Sequence, residues 1–368
     1  MREENVAIGA LPLDCGEILP AVDQLVTFYG TPAADGSNVV LVEHALTGSS
    51  RVVDWWPAIA GYGALFDSRE WCIVGINALG SCYGSTGPAG KPFPRVTVRD
   101  IVRAERRALQ RVGLEHLAFT IGGSLGGMRA LQWALCAPQC VGGAIVVGAH
   151  DHHSAMGIAL NALQREALEL DPVGGLRLAR KLAMLSYKSD ELLARRHDRR
   201  SDRLGRPFFD VEGYLDHQAD LFERRMNADS YATLTHAMDS FDVRSAIWHA
   251  LERGPALTFV GITSDWLFRA KDVRAAAERF ARAGFDSAYL ELPSDHGHDA
   301  FLAESNDLAA LLKPRIARPP AAAVGSISCC TMVSRRARSG ADRIPVPRPV
   351  LRSSPSIRRR PLRSRRSA

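Results

Sequence analysis

One serine stands among four glycines in the stretch TIGGSLGGMRALQWA, residues 120–134. An apolar run leads into this stretch, and a helical pattern rich in Ala and Leu leads out of it. A chain that reverses so sharply has no room for side chains two positions either side of Ser124, which explains glycine at Gly122 and Gly126. Such a turn lifts the hydroxyl to the tip of a sheet. The pattern therefore predicts a nucleophile elbow with Ser124 as the nucleophile.

A nucleophilic serine needs an acid and then a histidine, each on a loop that follows a later strand. The apolar run ALTFVGI (256–262) is followed by Asp265, and the run SAYLEL (287–292) is followed by His296 and His298. A neutral imidazole would take the serine proton, and a buried carboxylate would hold the ring in the required tautomer. The order of these residues predicts a Ser-His-Asp set and leaves open which histidine takes part.

Two backbone amides are needed to stabilise the anion that forms when a serine attacks a carbonyl group. One is expected from Leu125, directly after the nucleophile, and the other from Leu46 in the loop HALTG (44–48), which follows the third strand. His44 lies in the same loop, but it precedes the nucleophile in the chain. We expect His44 to pack that loop rather than to act as the base.

These residues need a sheet whose strand ends meet at one edge. Short apolar blocks rich in Val, Ile and Phe are typical of central strands buried on both faces, and they occur at 37–46, 71–79, 117–123, 142–149, 256–262 and 287–292. Apolar residues at three- and four-residue spacing predict amphipathic helices at 97–113 and 272–284. This alternation predicts an α/β fold, with a mostly parallel sheet covered by helices on both faces.

One long segment interrupts the alternation. Residues 151–250 are predicted to be helical throughout and to form a lid over the strand ends, where ligands bind in open α/β sheets. The sheet domain would then comprise residues 1–150 and 251–314. Residues 315–368 are poor in aromatic residues and rich in Arg, Pro and Ser, so we expect a disordered tail.

The charge is divided unevenly along the chain. The formal net charge is +6, but residues 315–368 hold fourteen arginines and one acid, a net of +13, which leaves −7 for residues 1–314. A basic tail of this kind could contact phosphate groups. We favour a plain solvated extension and expect no nucleic-acid partner.

The composition also bears on location. The chain has no apolar stretch of the roughly 18 residues that a membrane span needs, and its N-terminus does not resemble a secretory signal. The seven cysteines lack zinc-ligand spacing, and Cys136 and Cys140 are expected to be two buried thiols. We therefore expect a cytoplasmic protein with neither a membrane nor a metal partner.

Eight motifs follow one another in order over roughly residues 10–314. They are HALTGS (44–49), GSCYGSTGP (80–88), FPRVTVRDIVRA (93–104), GGSLGGMRALQWA (122–134), GLRLARKLAMLSY (175–187), DSYATLTHAMDSFDV (229–243), SDWLF (264–268) and GHDAFL (297–302). Together they resemble the homoserine O-acyltransferase family, and most closely its homoserine O-acetyltransferases, which have the α/β-hydrolase fold. This resemblance is long and specific, well beyond an elbow motif alone.

The resemblance implies roles for particular residues. The family's catalytic histidine lies in GHDAFL, which selects His298 over His296. Ser124 would take an acetyl group from acetyl-CoA and pass it to the hydroxyl of L-homoserine, a ping-pong reaction of methionine synthesis. Arg180 would bind the substrate carboxylate and Asp299 its ammonium group. Acetyl-CoA would be a co-substrate, no cofactor would stay bound, and the protein would be a homodimer.

The sequence departs from the family pattern at several points. Leu125 stands where the elbow commonly has Met, and the chain is shorter than usual after ELDP (169–172) and in GPAGKPFP (87–94). The same site could therefore use succinyl-CoA or accept serine. An esterase, in which water reaches the acyl-enzyme, is disfavoured by Arg180 and Asp299. A binding protein on an inactive hydrolase scaffold is disfavoured by the complete Ser-His-Asp set.

Overall fold

The computed structural model describes five stretches of the chain, residues 1–171, 174–202, 204–205, 208–246 and 254–316. Apart from residues 315 and 316, the predicted tail lies outside the described residues. So do residues 172–173, 203, 206–207 and 247–250 of the predicted lid. The disorder of the tail and its lack of a nucleic-acid partner stay predictions. Among the described helices, none combines the length and the apolar composition that crossing a bilayer would require.

Strands in the described residues form two sheets. In chain order they are β1 (Arg2–Pro12), β2 (Ile18–Tyr29), β3 (Val39–Glu43), β4 (Ala60–Gly61), β5 (Phe66–Asp67), β6 (Cys72–Ile76), β7 (Leu117–Gly123), β8 (Val141–Val147), β9 (Ala256–Ile262) and β10 (Ser287–Leu292). β4 and β5 form a sheet of their own, and the large sheet has the order β1-β2-β6-β3-β7-β8-β9-β10. β2 is antiparallel to both β1 and β6, whereas the other neighbouring pairs are parallel. The predicted mostly parallel sheet is confirmed.

The α-helices of the described residues alternate with the strands. They are α1 (Val52–Trp55), α2 (Val98–Arg111), α3 (Leu125–Cys136), α4 (Ala155–Leu170), α5 (Gly174–Tyr187), α6 (Asp190–Arg196), α7 (Asp210–Glu223), α8 (Ala228–Asp239), α9 (Ala270–Arg282), α10 (Ala300–Ala303) and α11 (Ser305–Leu312). Helices α4 to α8, which we call the helical insertion, lie between β8 and β9 in the chain. Five helices occupy much of the described part of this segment, but it is not helical throughout, because residues 197–202 and 208–209 form turns and an isolated bridge. That the segment is a lid stays a prediction.

Helices cover both faces of the large sheet. Along β3, Val39 and Leu41 belong to one buried core, whereas Val40 and Val42 belong to another. Successive side chains of a strand point to opposite faces, so the two cores lie on opposite sides of the sheet. The first core contains residues of α2, α3 and α9, and the second contains residues of α1, α10 and α11. The prediction of helices on both faces is confirmed.

The sequence predicted the parallel strands of the sheet better than its antiparallel end, which β1 and β2 form. Each of the six predicted strand segments contains a strand, and the two predicted amphipathic helices correspond to α2 and α9. A capping box begins α2, where the Thr97 hydroxyl accepts from the Asp100 amide at 3.1 Å and the Asp100 carboxylate accepts from the Thr97 amide at 3.0 Å. β1 and β2 were not predicted, because buried and exposed residues alternate along them and no continuous apolar block marks them.

The prediction of two buried thiols at Cys136 and Cys140 is wrong. Cys136 is exposed at the C-terminal end of α3, and Cys140 is half-buried in the 3-10 turn that follows. Pro138 begins that turn and cannot continue an α-helix, so the helix ends before the second cysteine. The two thiols therefore do not share a buried helix face.

Parallel strands bring the loops of interest to one place. β3, β7, β8, β9 and β10 are parallel, so the loops after them leave the sheet at the same edge. The loop after β7 carries Ser124, the loop after β9 carries Asp265, and the loop after β10 carries His298. The carboxyl edge of the sheet thus gathers residues that are far apart in the chain.

Candidate active site

Ser124 lies at the turn between β7 and α3. Its φ of 57° and ψ of −123° lie outside the regions that residues other than glycine normally occupy. Two hydrogen bonds hold the turn, one from the Ser124 amide to the Val147 carbonyl at 2.9 Å and one from the Met128 amide to the Ser124 carbonyl at 3.0 Å. A strained backbone held in this way is typical of a functional turn.

Close backbone contacts explain the glycines around the serine. A Cβ at Gly122 would lie 2.4 Å from the carbonyl carbon of Gly126, and a Cβ at Gly126 would lie 2.1 Å from the carbonyl oxygen of Glu43. A Cβ at Gly123 would lie 2.6 Å from the ring of Phe301. The prediction that side chains beside the serine would collide is confirmed, and the end of β3 is part of the obstacle.

Asp265 and His298 are in direct contact. Asp265 Oδ2 is 2.6 Å from His298 Nδ1, and its Oδ1 accepts from the amides of Leu267 and Phe268 at 2.9 and 2.8 Å. Because both carboxylate oxygens are engaged, the orientation of the side chain is fixed. A carboxylate at Nδ1 keeps the proton there and leaves Nε2 as an acceptor. Nε2 has no hydrogen-bond partner among the described residues.

Aromatic rings and a glycine enclose His298. Phe268 stacks on the imidazole with ring centroids 5.1 Å apart, and Phe301 meets it edge-on at 5.6 Å. At Gly148, whose φ is +52°, a Cβ would lie 3.3 Å from His298 Cε1. Burial is the largest influence and opposes the charged ring, but the charge and the hydrogen bond of Asp265 together outweigh it. The pKa of His298 is therefore raised above its usual value of 6.5.

His296, the alternative histidine, lies in a different environment. Its Nε2 is 3.3 Å from Arg196 Nη2, and its Nδ1 is 3.5 Å from Glu304 Oε1. It is not among the described residues that line the cavity around Ser124. The geometry therefore favours His298 as the partner of the serine.

The loop after β3 is held by His44. The His44 ring is fully buried, with Nδ1 2.7 Å from the Ala45 carbonyl oxygen and Nε2 accepting from the Ala78 amide at 3.0 Å. Burial, assisted by the charge of Arg129, lowers the pKa of His44 to about 3, so the ring is neutral. Both ring nitrogens are engaged, which agrees with the structural role expected for this residue.

Leu46 and Leu125 are the predicted amide donors. Leu125 is the first residue of α3, where the backbone amides of a helix have no partner within the helix. Leu46 lies in the loop after β3 and lines a cavity together with Ser124. No described backbone carbonyl accepts a hydrogen bond from either amide. Both amides can therefore donate to an anion.

One cavity of about 350 Å³ contains most of the predicted site. Ser124, His298, Arg180 and Asp299 all line it. Asp265 does not line it and instead contacts His298 from behind. The structure thus brings together a hydroxyl, an imidazole, a guanidinium and a carboxylate around one cavity.

Arg180 and Asp299, the residues predicted to contact the substrate, differ in the partners that they have in the structure. The Arg180 guanidinium lies 5.0 Å from the centre of the Phe222 ring, and its Nε is buried without a hydrogen-bond partner among the described residues. Asp299 Oδ2 accepts from Lys188 Nζ at 2.8 Å. Sequence reasoning missed Lys188, although it directly follows the motif that ends at Tyr187. An ammonium group therefore already occupies the place predicted for the ammonium of a substrate.

Sequence reasoning also missed two other residues that line the cavity. Arg225, which follows α7, donates through Nη1 to the Thr47 carbonyl at 2.7 Å and so connects the helical insertion to the loop after β3. The Tyr83 hydroxyl is buried without a hydrogen-bond partner among the described residues, and burial raises the pKa of Tyr83. Tyr83 lies in one of the quoted motifs, but only the folded chain brings it to the serine.

Within the described ranges, two groups of side chains have the reach to hold a metal ion. His150, Asp151 and His152 place one ligand atom each within 4.8 Å of one another, and so does a second group, Asp295, His296 and Glu304. Arg279 donates to both oxygens of Asp151 at 2.7 and 2.9 Å, and Arg195 donates to Asp295. Because a guanidinium already neutralises the carboxylate in each group, we assign no metal to either.

Known proteins share this arrangement of strands and helices. The family model for the alpha/beta hydrolase fold matches residues 38–305. A homoserine O-acetyltransferase from Acidiphilium cryptum (strain JF-5) is 36% identical over 343 residues, which cover 81% of this chain and 90% of that protein. The chain belongs to the homoserine O-acetyltransferase family. The family predicted from the eight motifs is confirmed.

Solved structures agree with the fold of this family. The homoserine O-acetyltransferase from Staphylococcus aureus has a TM-score of 0.72 at 29% identity, and the match covers 85% of this chain and 94% of that one. An acetylester hydrolase from Corynebacterium glutamicum has a TM-score of 0.73 at 21% identity, with the same coverage of 85% and 94%. At that identity the second likeness shows the fold alone. The predicted α/β-hydrolase fold is confirmed.

Proposed function

We propose that this member of the homoserine O-acetyltransferase family transfers an acetyl group from acetyl-CoA to the hydroxyl of L-homoserine through an ester on Ser124. The observation that carries the proposal is the single cavity lined by Ser124, His298, Arg180 and Asp299. A nucleophile and a base there share space with a cation and an anion that suit an amino-acid substrate. The name of the relative from Acidiphilium cryptum supports the acetyl group and the acceptor.

In the first half-reaction, Ser124 Oγ attacks the thioester carbonyl carbon while His298 Nε2 takes the hydroxyl proton. The Leu46 and Leu125 amides donate hydrogen bonds to the oxyanion. The C–S bond then breaks, and the CoA sulfur leaves as a thiol with the proton from His298. The Asp265 carboxylate stabilises the imidazolium between these two proton transfers.

In the second half-reaction, the homoserine hydroxyl attacks the acetyl carbon of the Ser124 ester. His298 Nε2 takes the proton of that hydroxyl and passes it to Ser124 Oγ as the ester bond breaks. The same two amides stabilise the second oxyanion. The products are O-acetyl-L-homoserine and the free serine, so atoms and protons balance over the cycle. We place this product in methionine synthesis.

Recognition of the acceptor is assigned to Arg180 and Asp299. A guanidinium can hold a carboxylate with two hydrogen bonds. The buried Nε–H group of Arg180 is a donor that has no hydrogen-bond partner among the described residues. Asp299 would bind the substrate ammonium in place of Lys188 Nζ, which lies 2.8 Å from its carboxylate in the structure. These two contacts favour an amino-acid acceptor over water and so favour a transferase over an esterase.

The test offers purified protein acetyl-CoA or succinyl-CoA, each with homoserine, with serine or without an acceptor. We expect thiol release that requires acetyl-CoA and homoserine, with O-acetylhomoserine identified by mass spectrometry. Ser124→Ala should lower the rate by at least about 10⁴-fold while leaving the thermal unfolding transition in place. Equal thiol release without an acceptor would indicate an esterase, and a preference for succinyl-CoA or serine would replace the proposed donor or acceptor.

The predicted cytoplasmic location and homodimer stay predictions. The dimer is checked by analytical ultracentrifugation of the full chain at several concentrations. A single sedimenting species with the 40.1 kDa mass of one chain would contradict it.

A further inference from the structure

A second, closed pocket adjoins Ser124 on the side of the helical insertion. Its volume is about 10 Å³, which is room for one water-sized group. Ser124 and Leu46 line both this pocket and the large cavity. Side chains of α4 and α8, among them Leu160, Gln164 and Met238, contribute much of the remaining wall. The serine therefore lies between an open cavity and a closed pocket.

We propose that this closed pocket, which we call the acyl pocket, receives the acyl group of the Ser124 ester and limits it to a short, uncharged chain such as acetyl. The proposal rests on the proposed function, because it presupposes acyl transfer through Ser124. The thiol leaving group and the acceptor both need the open cavity, where Arg180 and Asp299 lie. The small pocket, which shares Leu46, Ser124 and Tyr187 with the large cavity, is then left for the acyl chain.

Hydrogen bonds fix the polar part of the acyl pocket. The Tyr231 hydroxyl donates to Gln164 Oε1, and Asn161 Nδ2 donates to Asp239 Oδ1 at 2.8 Å. A chain longer than acetyl would have to displace these bonded groups. Because a buried polar group that loses its partner is strongly penalised, this wall resists enlargement. The hydrogen bonds of Gln164 and Asn161 therefore help to keep the pocket small.

The acyl pocket also offers no cation to an acidic acyl group. Its one titratable base among the described lining residues is His153, whose pKa is lowered to about 4, mainly by burial and further by nearby histidines. Arg165 on α4 is paired with Asp239 at 2.6 Å and does not line the pocket. A succinyl carboxylate in the pocket would be buried without a charged partner, which is unfavourable. Size and charge therefore exclude succinyl together.

Met238 is the side chain to shorten. It lies on α8, is 4% exposed and belongs to the apolar part of the acyl pocket wall. Met184 on α5 is a matched control, because it is also buried in the helical insertion, at 3% exposed, but lines neither cavity. Met238→Ala enlarges the pocket, whereas Met184→Ala removes the same side chain elsewhere.

The experiment measures kcat/KM for acetyl-, butyryl- and succinyl-CoA by thiol release with the full chain and homoserine. The wild type should use butyryl-CoA at least about tenfold less well than acetyl-CoA. Met238→Ala should raise the butyryl-to-acetyl ratio by about tenfold or more and leave succinyl-CoA slow, because the variant adds space without adding a cation. Met184→Ala should keep the ratio of the wild type.

Two results would contradict the proposal that this pocket limits the length of the acyl group. One is equal use of acetyl-CoA and butyryl-CoA by the wild type. The other is a butyryl-to-acetyl ratio in Met238→Ala no higher than in Met184→Ala. If Met238→Ala does not give a cooperative thermal transition, Leu160→Ala opens the same pocket from α4 and carries the same expectation.

A second measurement separates this inference from the proposed function. p-Nitrophenyl acetate and p-nitrophenyl butyrate can acylate Ser124 without CoA or homoserine, and mass spectrometry detects the ester. If the acetyl ester acylates Ser124 faster than the butyryl ester while no acyl-CoA reacts, the proposed function is contradicted and the assignment of the acyl pocket is supported. If acetyl-CoA and homoserine react but chain length has no effect, the acyl pocket fails and the proposed function stands. No acylation of Ser124 by any donor refutes both.

Discussion

Two buried histidines lie on loops at the same edge of the sheet and have opposite properties. His44 follows β3 and is 0% exposed, and His298 follows β10 and is 2% exposed. Burial and the charge of Arg129 lower the pKa of His44 to about 3. Burial also disfavours the charged form of His298, but Asp265 outweighs it and raises the pKa of His298. Burial disfavours the charged form of both rings, and the charged neighbour makes the difference between them. The Arg129 cation adds to the effect of burial at His44, whereas the Asp265 carboxylate overcomes that effect at His298.

The two rings also differ in what they leave free. His44 Nε2 accepts from the Ala78 amide, whereas His298 Nε2 has no hydrogen-bond partner among the described residues. A general base needs a free nitrogen close to the group that it deprotonates. His298 has a free nitrogen and lines the same cavity as Ser124, although no hydrogen bond joins the two side chains in the described structure. Both ring nitrogens of His44 are engaged in holding the neighbouring loop.

The most severe test of this comparison replaces each ring by alanine. His298→Ala should lower kcat for acetyl transfer by about 10⁶-fold, because the serine loses its base. His44→Ala should lower kcat by less than about 10²-fold, as expected when a loop shifts slightly. It should also reduce the free energy of unfolding by about 1–3 kcal/mol, because the Ala78 amide loses its acceptor. Thiol release measures kcat and urea unfolding measures stability. Equal losses of kcat in the two variants would contradict the assignment of His298, rather than His44, as the base.

Only part of this contrast could be predicted from the sequence. The elbow at Ser124 and the position of Asp265 after a strand are local patterns, and chain order separated His44 from the later histidines. The contact of His44 with Arg129 could not be predicted, because it joins the end of β3 to α3 through tertiary packing. Lys188 beside Asp299 was missed for the same reason, since the two residues lie on separate elements of the fold.

The fold shows the same division. Strands buried on both faces are continuous apolar blocks, so the central strands were predicted closely, and β7 matches its predicted bounds of 117–123. β1 and β2 lie at the edge and alternate between buried and exposed residues, so no block marked them. Local patterns therefore predicted the parallel strands, including the edge strand β10, whereas the cavity depends on contacts between distant segments.

A buried ionic cluster lies behind His44. Arg129 is fully buried, forms an ion pair with Glu43 at 2.5 Å and another with Glu105, and donates to the His44 carbonyl at 3.2 Å. The Trp133 indole donates to Glu105 at 2.9 Å. Burial raises the pKa of Glu43 well above its usual value of 4.5, although the charge of Arg129 opposes this rise. Two carboxyl groups, of Glu43 and Glu105, therefore share one buried guanidinium, and none of the three side chains is exposed to solvent.

The cation behind His44 can be removed by replacing Arg129 with an apolar side chain of similar length. Arg129→Met should reduce the free energy of unfolding by about 3–5 kcal/mol, because it leaves buried carboxylates without their partner. The pKa of His44 should also rise, since Arg129 contributes to lowering it. Urea unfolding measures the first effect, and NMR titration of the His44 ring measures the second.

The control for this variant is Arg274→Met, which breaks the exposed ion pair with Glu291 and should cause a much smaller loss. A loss of stability in Arg129→Met no larger than in this control would contradict the importance of the buried cluster.

The third prediction concerns the rate as a function of pH. The value of kcat/KM for acetyl-CoA should fall about tenfold per pH unit below the pKa of His298, because only the neutral ring takes the serine proton. The midpoint should lie above the usual value of 6.5, since Asp265 raises this pKa. His44→Asn should show the same acidic limb, because His44 is already neutral at those pH values. If the midpoint of the acidic limb shifts in His44→Asn, the titration belongs to His44 and not to His298.

The same two pKa shifts should act on stability in opposite directions. His298 has a raised pKa in the folded protein, so its contribution is complete below the unfolded value of about 6.5 and is lost as the pH rises through the folded pKa. His44 has a folded pKa of about 3, so its contribution is present above about 6.5 and is lost as the pH falls towards 3. Urea unfolding of the wild type, His298→Asn and His44→Asn, from pH 3 to above the pKa of His298, measures the contribution of each histidine as the difference in unfolding free energy between the wild type and the variant. Parallel pH trends in the two differences would mean that the rings share one environment, and the distinction between base and support would not hold.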